Sequence, residues 1–314
     1  MGRYIVKRLL ETLVILFIIS IIAFAIIHLI PGDPVYIMLG TDINQEFHDQ
    51  VYREMGLDRP LVDQYFYWLG RFLTGNFGHS YYFKQEVSQV VAARLPITLY
   101  LGVFSSVFSV VIGIFCGVIT AVKRGTWLDN IITVLANIGI AMPSFWLAML
   151  LIWLFGIKLR ILPTHDFVMP SVNLKLSLQQ MVMPVICMSV GGVASYTRQT
   201  RSSMLEVIGQ DYIRTARSKG LTESRIINKH AIKNALIPVL TLIGMTLRGC
   251  IGGSAIIETI FNINGLGRVM VVALNNRDYT TLQTGLVLLA LITCLCNLAV
   301  DIAYAYVDPR IRLK

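Results

Sequence analysis

The chain has 314 residues, of which 55% are hydrophobic and 14% are charged, and its mean hydropathy is +0.66. These values exclude an ordinary soluble protein, because so few charged residues do not cover a water-exposed surface of this size. The formal charge of +9 does not by itself indicate nucleic-acid binding, since membrane proteins collect Lys and Arg on their cytoplasmic loops. We therefore expect an all-α membrane protein.

Six windows are long and apolar enough to cross the roughly 30 Å hydrocarbon core as helices. The fourth is the weakest, because it is short and is interrupted by Pro184. With the N-terminus inside, sixteen Lys and Arg fall in the inner segments and ten in the outer ones, which predicts that both termini are cytoplasmic. We expect one transmembrane domain over residues 1–314 with spans at 9–30, 99–122, 131–157, 178–196, 235–257 and 282–307.

The predicted external segment, residues 31–96, is too long for a simple turn and is rich in aromatic residues. Four of them are consecutive, from Tyr65 to Trp68. Aromatic side chains with polar tips favour the headgroup region, so a helix that starts near Pro60 is expected on the outer membrane face. A small packed cap is the alternative. The histidines of this side, His48, His79 and His165, show no metal-ligand spacing and are interpreted as surface residues.

The densest positive charge lies in the predicted cytoplasmic loop, residues 197–234. Residues 211–238, which cover the end of this loop and the start of the next span, contain six Lys or Arg and only two acids, Asp211 and Glu223. Gly220 predicts the left-handed end of one short helix, and Thr222 predicts the cap of the next, with a Leu221–Ile226 staple. The second helix is expected to continue into the fifth span. Such an element is suited to transmit a push from a soluble partner into the membrane.

An ordered set of motifs along the chain resembles the permease subunits of ABC importers in the dipeptide, oligopeptide and nickel branch, as the first of two paired permeases. The loop reads YIRTARSKGL, although Arg214-Thr215-Ala216 stands where many ABC permeases have Glu-Ala-Ala, so that Ala216 and Gly220 alone match that general form. The other motifs are PGDP at 31–34, MGLDRPLVDQY at 55–65, RLPITL at 94–99, MPSFWLA at 142–148, TRSSMLEV at 200–207, GGSAIIETIF at 252–261, GLGR at 265–268, NRDY at 276–279 and DPRIR at 308–312.

The resemblance implies a type I ABC importer permease in the inner membrane of a prokaryote. It implies a second homologous permease, two ATPase subunits that bind ATP and Mg²⁺, and an external solute-binding protein that delivers di- or oligopeptides. Nickel or a metal chelate is the alternative cargo. The segment 212–220 would be the coupling helix, with Tyr212, Arg214, Thr215, Ala216, Arg217, Lys219 and Gly220 as the ATPase-coupling residues; a purely topogenic positive loop is the alternative.

The chain itself carries no visible catalytic motif. The Gly-Lys pair that a phosphate-binding loop needs occurs nowhere in the sequence, and we find no protease or redox motif. We therefore expect no enzyme and no cofactor in this chain. A secondary transporter or channel is the more distant alternative, but it would be expected to show internal repeats or acidic relays within the spans.

Two charged residues stand inside predicted spans, where an unpaired charge costs several kcal/mol. Arg248 is predicted to line the substrate pathway, with snorkelling or pairing as the alternative, whereas Asp301 is predicted to be structural. Pro143 and Pro184 are expected to kink spans three and four, and Pro143 with Ser144 is assigned to the pathway.

Overall fold

The computed structural model describes residues 2–29, 31–164, 167–247 and 254–307. The described residues are mostly helical and form two compact units, one within residues 2–99 and 264–307 and the other within residues 100–263. A single transmembrane domain over the chain stays a prediction.

The first unit combines two long apolar helices with a set of short elements. Its elements are α1 (Gly2–His28), α2 (Pro34–Leu39), α3 (Gln45–Glu54), α4 (Leu61–Leu73), strands β1 (His79–Ser80) and β2 (Gln85–Glu86), the start of α5 (Val87–Val122), α13 (Leu266–Asn275) and α14 (Tyr279–Val307). The strands are antiparallel, with His79 opposite Glu86. The side chains of Asp33 and Asn44 accept backbone hydrogen bonds at the starts of α2 and α3, which explains where those helices begin.

The short elements of the first unit pack on its long helices. Tyr65 of α4 meets the Phe24 ring of α1 at 5.4 Å and hydrogen-bonds to Ser20 through its hydroxyl at 2.8 Å. Ser80 of β1 donates to the buried carboxylate of Asp278 at 2.5 Å, just before α14. The helix predicted near Pro60 is present as α4, whereas its position on the outer membrane face or in a packed cap stays a prediction.

The second unit holds the remainder of α5 and the helices up to residue 260. They are α6 (Trp127–Ala141), α7 (Ser144–Leu151) with a π-helical turn Ile152–Lys158, α8 (Leu174–Ile208), α9 (Asp211–Ser218), α10 (Glu223–Arg225), a second π-helical turn Ile226–Ala231, α11 (Ile232–Leu247) and α12 (Ser254–Ile260). Helices α6, α7 and α11 all pack on α8, which is the central helix of this unit.

Close backbone contact joins α5 to α8. A Cβ atom added at Gly113 would lie 2.4 Å from Tyr196 Cβ, and one added at Gly117 would lie 2.5 Å from Thr200 Cβ. Only glycine permits this approach, and the two positions form a Gly-x-x-x-Gly pattern that brings helices together in membranes. Gly249, Gly252 and Gly253 in the fifth predicted span would also allow close helix approach, but they lie outside the described residues.

Four of the six predicted windows coincide, apart from residues 29 and 30 of the first, with helices that are long and apolar enough to cross a membrane, namely α1, α5, α8 and α14. The third window covers α6 and α7, which are bent by 109° at a break and form a fifth span if they are one. The break lies at Pro143, as predicted, whereas α8 runs through Pro184 without interruption. The fifth window, 235–257, includes residues outside the described ranges, so this span stays a prediction.

Candidate functional site

The loop between α8 and α11 forms the helix-Gly-helix element that the sequence predicts. Helix α9 ends in a Schellman motif, in which Gly220 N donates to Arg217 O at 2.9 Å and Leu221 N donates to Ala216 O at 3.4 Å. Gly220 has φ +76°, the left-handed conformation that favours glycine. These bonds fix the direction in which the chain leaves α9.

The second helix starts where the sequence predicts but is capped differently. Thr222 occupies the N-cap position before Glu223, yet its side chain makes no capping hydrogen bond. From Glu223 the helical conformation continues through the π-helical turn into α11 as far as Leu247. The predicted continuity from the loop into the apolar segment is therefore confirmed.

One face of α9 is anchored in a buried apolar cluster. Ile213 is fully buried and packs with Met204 of α8 and Ile226 of the π-helical turn. Leu221 packs against the same cluster, to which Ile226, its partner in the predicted staple, also belongs. Because α9 is only eight residues long, this burial, and not helix propensity, holds it in place.

The opposite face of α9 is open to solvent and carries most of the predicted coupling residues. Ala216 is the exception, since it is 9% exposed and belongs to the buried cluster. Ala216 therefore packs beneath the exposed face of α9. The exposed residues are Tyr212, Arg214, Thr215, Arg217, Lys219 and Gly220.

Polar contacts set the shape of this exposed face. Arg217 forms a two-point ion pair with Glu223 across the Gly220 turn, at 2.7 Å and 3.3 Å. The hydrogen bond from Arg217 lowers the pKa of Glu223, and the carboxylate raises the pKa of Arg217. Both side chains are exposed, so the pair orients the turn and adds little stability. The Asn234 side-chain amide also donates to the Tyr212 hydroxyl at 2.9 Å, which links α9 to α11.

The predicted pathway residues lie at the break between α6 and α7. Ser144 lines a cavity of about 370 Å³ together with three serines of α5, whereas Pro143 lies on a shallow apolar surface beside Trp146. Arg248 lies outside the described residues, so its assignment to the pathway stays a prediction. The α5 serines are Ser105, Ser106 and Ser109.

Two family models together match nearly the whole chain. The model described as "Binding-protein-dependent transport system inner membrane component" matches residues 109–313, and its N-terminal counterpart matches residues 1–102. The chain belongs to this family. It is accordingly a multi-pass inner-membrane component of a binding-protein-dependent transport system, and the recognition made from the sequence is confirmed.

Several permease proteins are similar to this chain over their full length. A probable peptide ABC transporter permease protein of Sinorhizobium fredii is 37% identical and covers 99% of this chain and 100% of its own. A putative peptide permease protein of Brucella suis is 38% identical, and the glutathione transport system permease protein GsiC of Escherichia coli is 37% identical, each over 100% of both chains.

A solved structure supports the predicted fold. A chain of the MetNI methionine ABC transporter in an inward-facing conformation superposes with a TM-score of 0.55 at 22% identity, over 70% of this chain and 97% of that one. At this identity the likeness concerns the fold, which is that of a type I ABC importer permease. Members of the family are membrane permeases and normally not enzymes, and a binding protein and an ATPase are their expected partners.

An ion pair between α8 and α6 is not predicted by the sequence. Arg201 of α8 donates to both oxygens of Asp129 at the start of α6, and Asp129 is 3% exposed. In the sequence, Arg201 is one of many basic residues of the predicted cytoplasmic loop. The available signal was an acid placed just before an apolar window, opposite a basic segment. Asp301, in contrast, is paired as predicted, with Arg8 at 3.5 Å.

The interpretation of the external histidines as surface residues is wrong for His48. This residue is 7% exposed, and its ring lies between two carboxylates, with Nε2 3.0 Å from Asp33 Oδ2 and Nδ1 3.0 Å from Asp49 Oδ1. His79 is partly exposed beside Glu86, and His165 lies outside the described residues. Within the described ranges there is no group of three or more His, Cys, Asp or Glu placed to hold a metal ion.

Proposed function

We propose that this chain is the transmembrane permease subunit of an ATP-driven importer of di- and oligopeptides in the cytoplasmic membrane. The full-length relatives are named as peptide or glutathione permeases, and glutathione is itself a tripeptide. The proposed assembly contains a second homologous permease, two ATPase subunits, an external solute-binding protein and the surrounding lipid. ATP and Mg²⁺ bind to the ATPase subunits, so this chain needs no cofactor and catalyses no reaction.

In this proposal, segment 212–220 is the coupling element through which the ATPase subunits move the membrane helices. The observation that carries it is the unbroken helical path from Glu223 to Leu247. Since α9 is fixed to this path by the apolar cluster and by the Tyr212–Asn234 hydrogen bond, a displacement of α9 is passed to α11. A loop that served only to set topology would need the charges but not this rigid attachment.

The exposed face of α9 is the proposed docking surface, with Arg214 and Lys219 as cations outside the Arg217–Glu223 pair. The substrate pathway is proposed to pass the helix break at Pro143 and Ser144, with Arg248 as a further lining residue. Discontinuous helices suit a pathway because their unpaired backbone groups are tolerated only where protein or water satisfies them.

The coupling proposal is tested by co-purification of the ATPase subunits with the chain. Arg214→Glu reverses a charge on the exposed face and leaves the buried cluster intact, which a substitution of Ala216 would not do. We expect R214E to lose the ATPase subunits, while the matched control R225E, an exposed Arg beyond Gly220, retains them. Equal retention by both variants would remove the assignment of α9 as the docking surface.

The cargo is tested separately, with the assembled complex in proteoliposomes. Labelled dipeptide and labelled Ni²⁺ are supplied in parallel with the solute-binding protein outside and ATP inside. We expect ATP-dependent accumulation of the dipeptide. Accumulation of Ni²⁺ without the dipeptide would replace the peptide assignment by the metal one.

A further inference from the structure

A cavity of about 90 Å³ lies within the first unit, between α1, α3, α4, the hairpin and the start of α14. Its walls are aromatic, with Phe24, Tyr67, Trp68 and Phe72 among them. One water molecule needs about 10–15 Å³ measured in this way, so the cavity encloses several waters or one apolar side chain, and the rest of a larger ligand extends toward the exposed lining residues Glu54 and Asn76. Apolar walls with a few polar groups are typical of small-molecule sites.

The base of the cavity carries hydrogen-bonding groups of α14 that the protein leaves available. Thr284 is 1% exposed, and no described residue hydrogen-bonds to its hydroxyl. The neighbouring Gln283 is 4% exposed and uses its NH₂ group on the backbone oxygen of Ala23 at 3.0 Å, which leaves its carbonyl oxygen as an acceptor. A hydroxyl and an amide oxygen that line a cavity in this way can bond to water or to a ligand.

Two opposite charges line the same cavity without pairing with each other. Arg71 donates to the backbone oxygen of Glu54 at 2.7 Å and to Asn76 Oδ1 at 3.0 Å, and its guanidinium lies 5.6 Å from the centre of the Tyr67 ring. The Glu54 carboxylate accepts from Gln50 and from the Tyr81 hydroxyl. In the described part of the chain neither Arg71 nor Glu54 forms a salt bridge. A cation and an anion held apart at one cavity suit a ligand that carries both charges.

We propose that this cavity binds the zwitterion of a short peptide or amino acid that has an apolar side chain. The side chain lies between the aromatic walls, Arg71 pairs with the carboxylate and Glu54 pairs with the ammonium group. Thr284 and Gln283 bind the remaining polar atoms. The ligand class rests on the proposed peptide function, whereas the cavity and its charges do not depend on it.

The test uses the full-length chain with its co-purified partners in lipid nanodiscs. The probe is leucylglycine whose leucine carries a photoreactive diazirine, and cross-linked residues are mapped by mass spectrometry. We expect saturable labelling within residues 64–81 and 280–284. Unlabelled leucylglycine should compete, whereas its N-acetylated amide, which lacks both charges, should compete at least about ten-fold less well.

Matched variants separate charge recognition from apolar labelling. Arg71→Met and Glu54→Gln should each reduce labelling about ten-fold. The control is Arg59→Met, because Arg59 stacks on the same Tyr67 ring at 4.0 Å but does not line the cavity. Thr284→Val should weaken labelling, while Thr293→Val on the same helix should not, since the Thr293 hydroxyl bonds to Leu289 O at 2.8 Å.

The outcomes separate this inference from the proposed function. If proteoliposomes accumulate leucylglycine but these segments are never labelled, the inference falls and the importer function stands. If the uncharged amide competes as well as the free dipeptide, the zwitterion assignment is overturned. If labelling here is saturable and charge-dependent although no peptide is accumulated, the site stands and the peptide importer function falls.

Discussion

Arg201 and Asp129 form a two-point ion pair that joins α8 to α6 across 72 residues of sequence, with Nε–Oδ1 and Nη2–Oδ2 distances of 3.0 and 2.9 Å. Asp129 also accepts from Gly125 N at 3.0 Å and from the Thr133 hydroxyl at 3.3 Å. The carboxylate therefore organises the turn between α5 and α6 as well as the α6–α8 contact.

Loss of this pair is expected to destabilise the protein. Arg201→Gln leaves a buried carboxylate without its charged partner and should cost about 2 kcal/mol in the free energy of unfolding. Arg198→Gln removes the same charge from an exposed position of α8 and should change it by less than about 0.5 kcal/mol. Reversible unfolding in SDS measures the change in unfolding free energy for each of the two variants. Equal effects of the two variants would show that net charge, and not the pair, is responsible.

The Gly220 turn should be sensitive to a side chain for conformational reasons alone. A Cβ atom at Gly220 would meet nothing within 4 Å, so Gly220→Ala adds strain at φ +76° without a clash. We expect a loss of about 1 kcal/mol in unfolding free energy and reduced capture of ATPase subunits.

Gly75 provides the matched control for that substitution. It has φ +80° and nothing within 4 Å of an added Cβ, but it lies in the first unit. Gly75→Ala should cause a similar loss of stability with unchanged ATPase capture in the co-purification assay. If Gly75→Ala reduced capture to the same extent, the effect of Gly220→Ala would reflect general destabilisation.

The α5–α8 contact predicts a steric effect of a single methyl group. A Cβ atom at Gly117 would lie 2.5 Å from Thr200 Cβ and 2.8 Å from the backbone oxygen of Thr197, which has little freedom to move. Gly117→Ala should therefore cost about 1–3 kcal/mol in SDS unfolding. Gly191→Ala, in α8 with nothing within 4 Å, should be neutral or slightly stabilising. An unchanged unfolding free energy in Gly117→Ala would show that α5 and α8 can move apart at this contact at little cost.

Local chemistry explains which features could be predicted from the sequence. Four predicted features depend only on residues that are close in the chain, and all four are present in the structure. They are the left-handed Gly220, the position of Thr222 before Glu223, the helix after Pro60 and the break at Pro143. Asp129 and Arg201 are far apart in sequence, and a basic loop offers many equivalent partners, so no local pattern predicts their pairing.

Burial of individual side chains is the second feature that the sequence does not predict. Ala216 belongs to a motif expected at a docking surface, yet the period of α9 places it with Ile213 on the buried face. His48 lies in a polar external segment, and only the folding of α2 against α3 encloses it between two carboxylates. The cavity lined by Arg71 and Thr284 likewise needs α4 and α14 to meet, which no local pattern indicates.

The His48 cluster predicts a pH-dependent stability of α2 and α3. The hydrogen bond to Asp49, together with Asp33, raises the pKa of His48 above its ordinary value of 6.5, although burial opposes this shift. Only the imidazolium donates from both ring nitrogens, so protonated His48 satisfies both carboxylates. Because the folded pKa is the higher one, the stabilisation is fully present below pH 6.5 and is lost as the pH rises through the raised pKa.

The measurement is hydrogen exchange of residues 34–54 in the wild type and in His48→Gln at each pH, so that intrinsic exchange rates cancel. Wild-type protection should exceed that of the variant at low pH, and the difference should shrink as His48 loses its proton. His79→Gln, which alters a partly exposed histidine beside Glu86, should leave protection of this segment unchanged. A difference between wild type and His48→Gln that stays constant with pH would mean that the ring acts by packing between Tyr36 and Tyr52, and not by its charge.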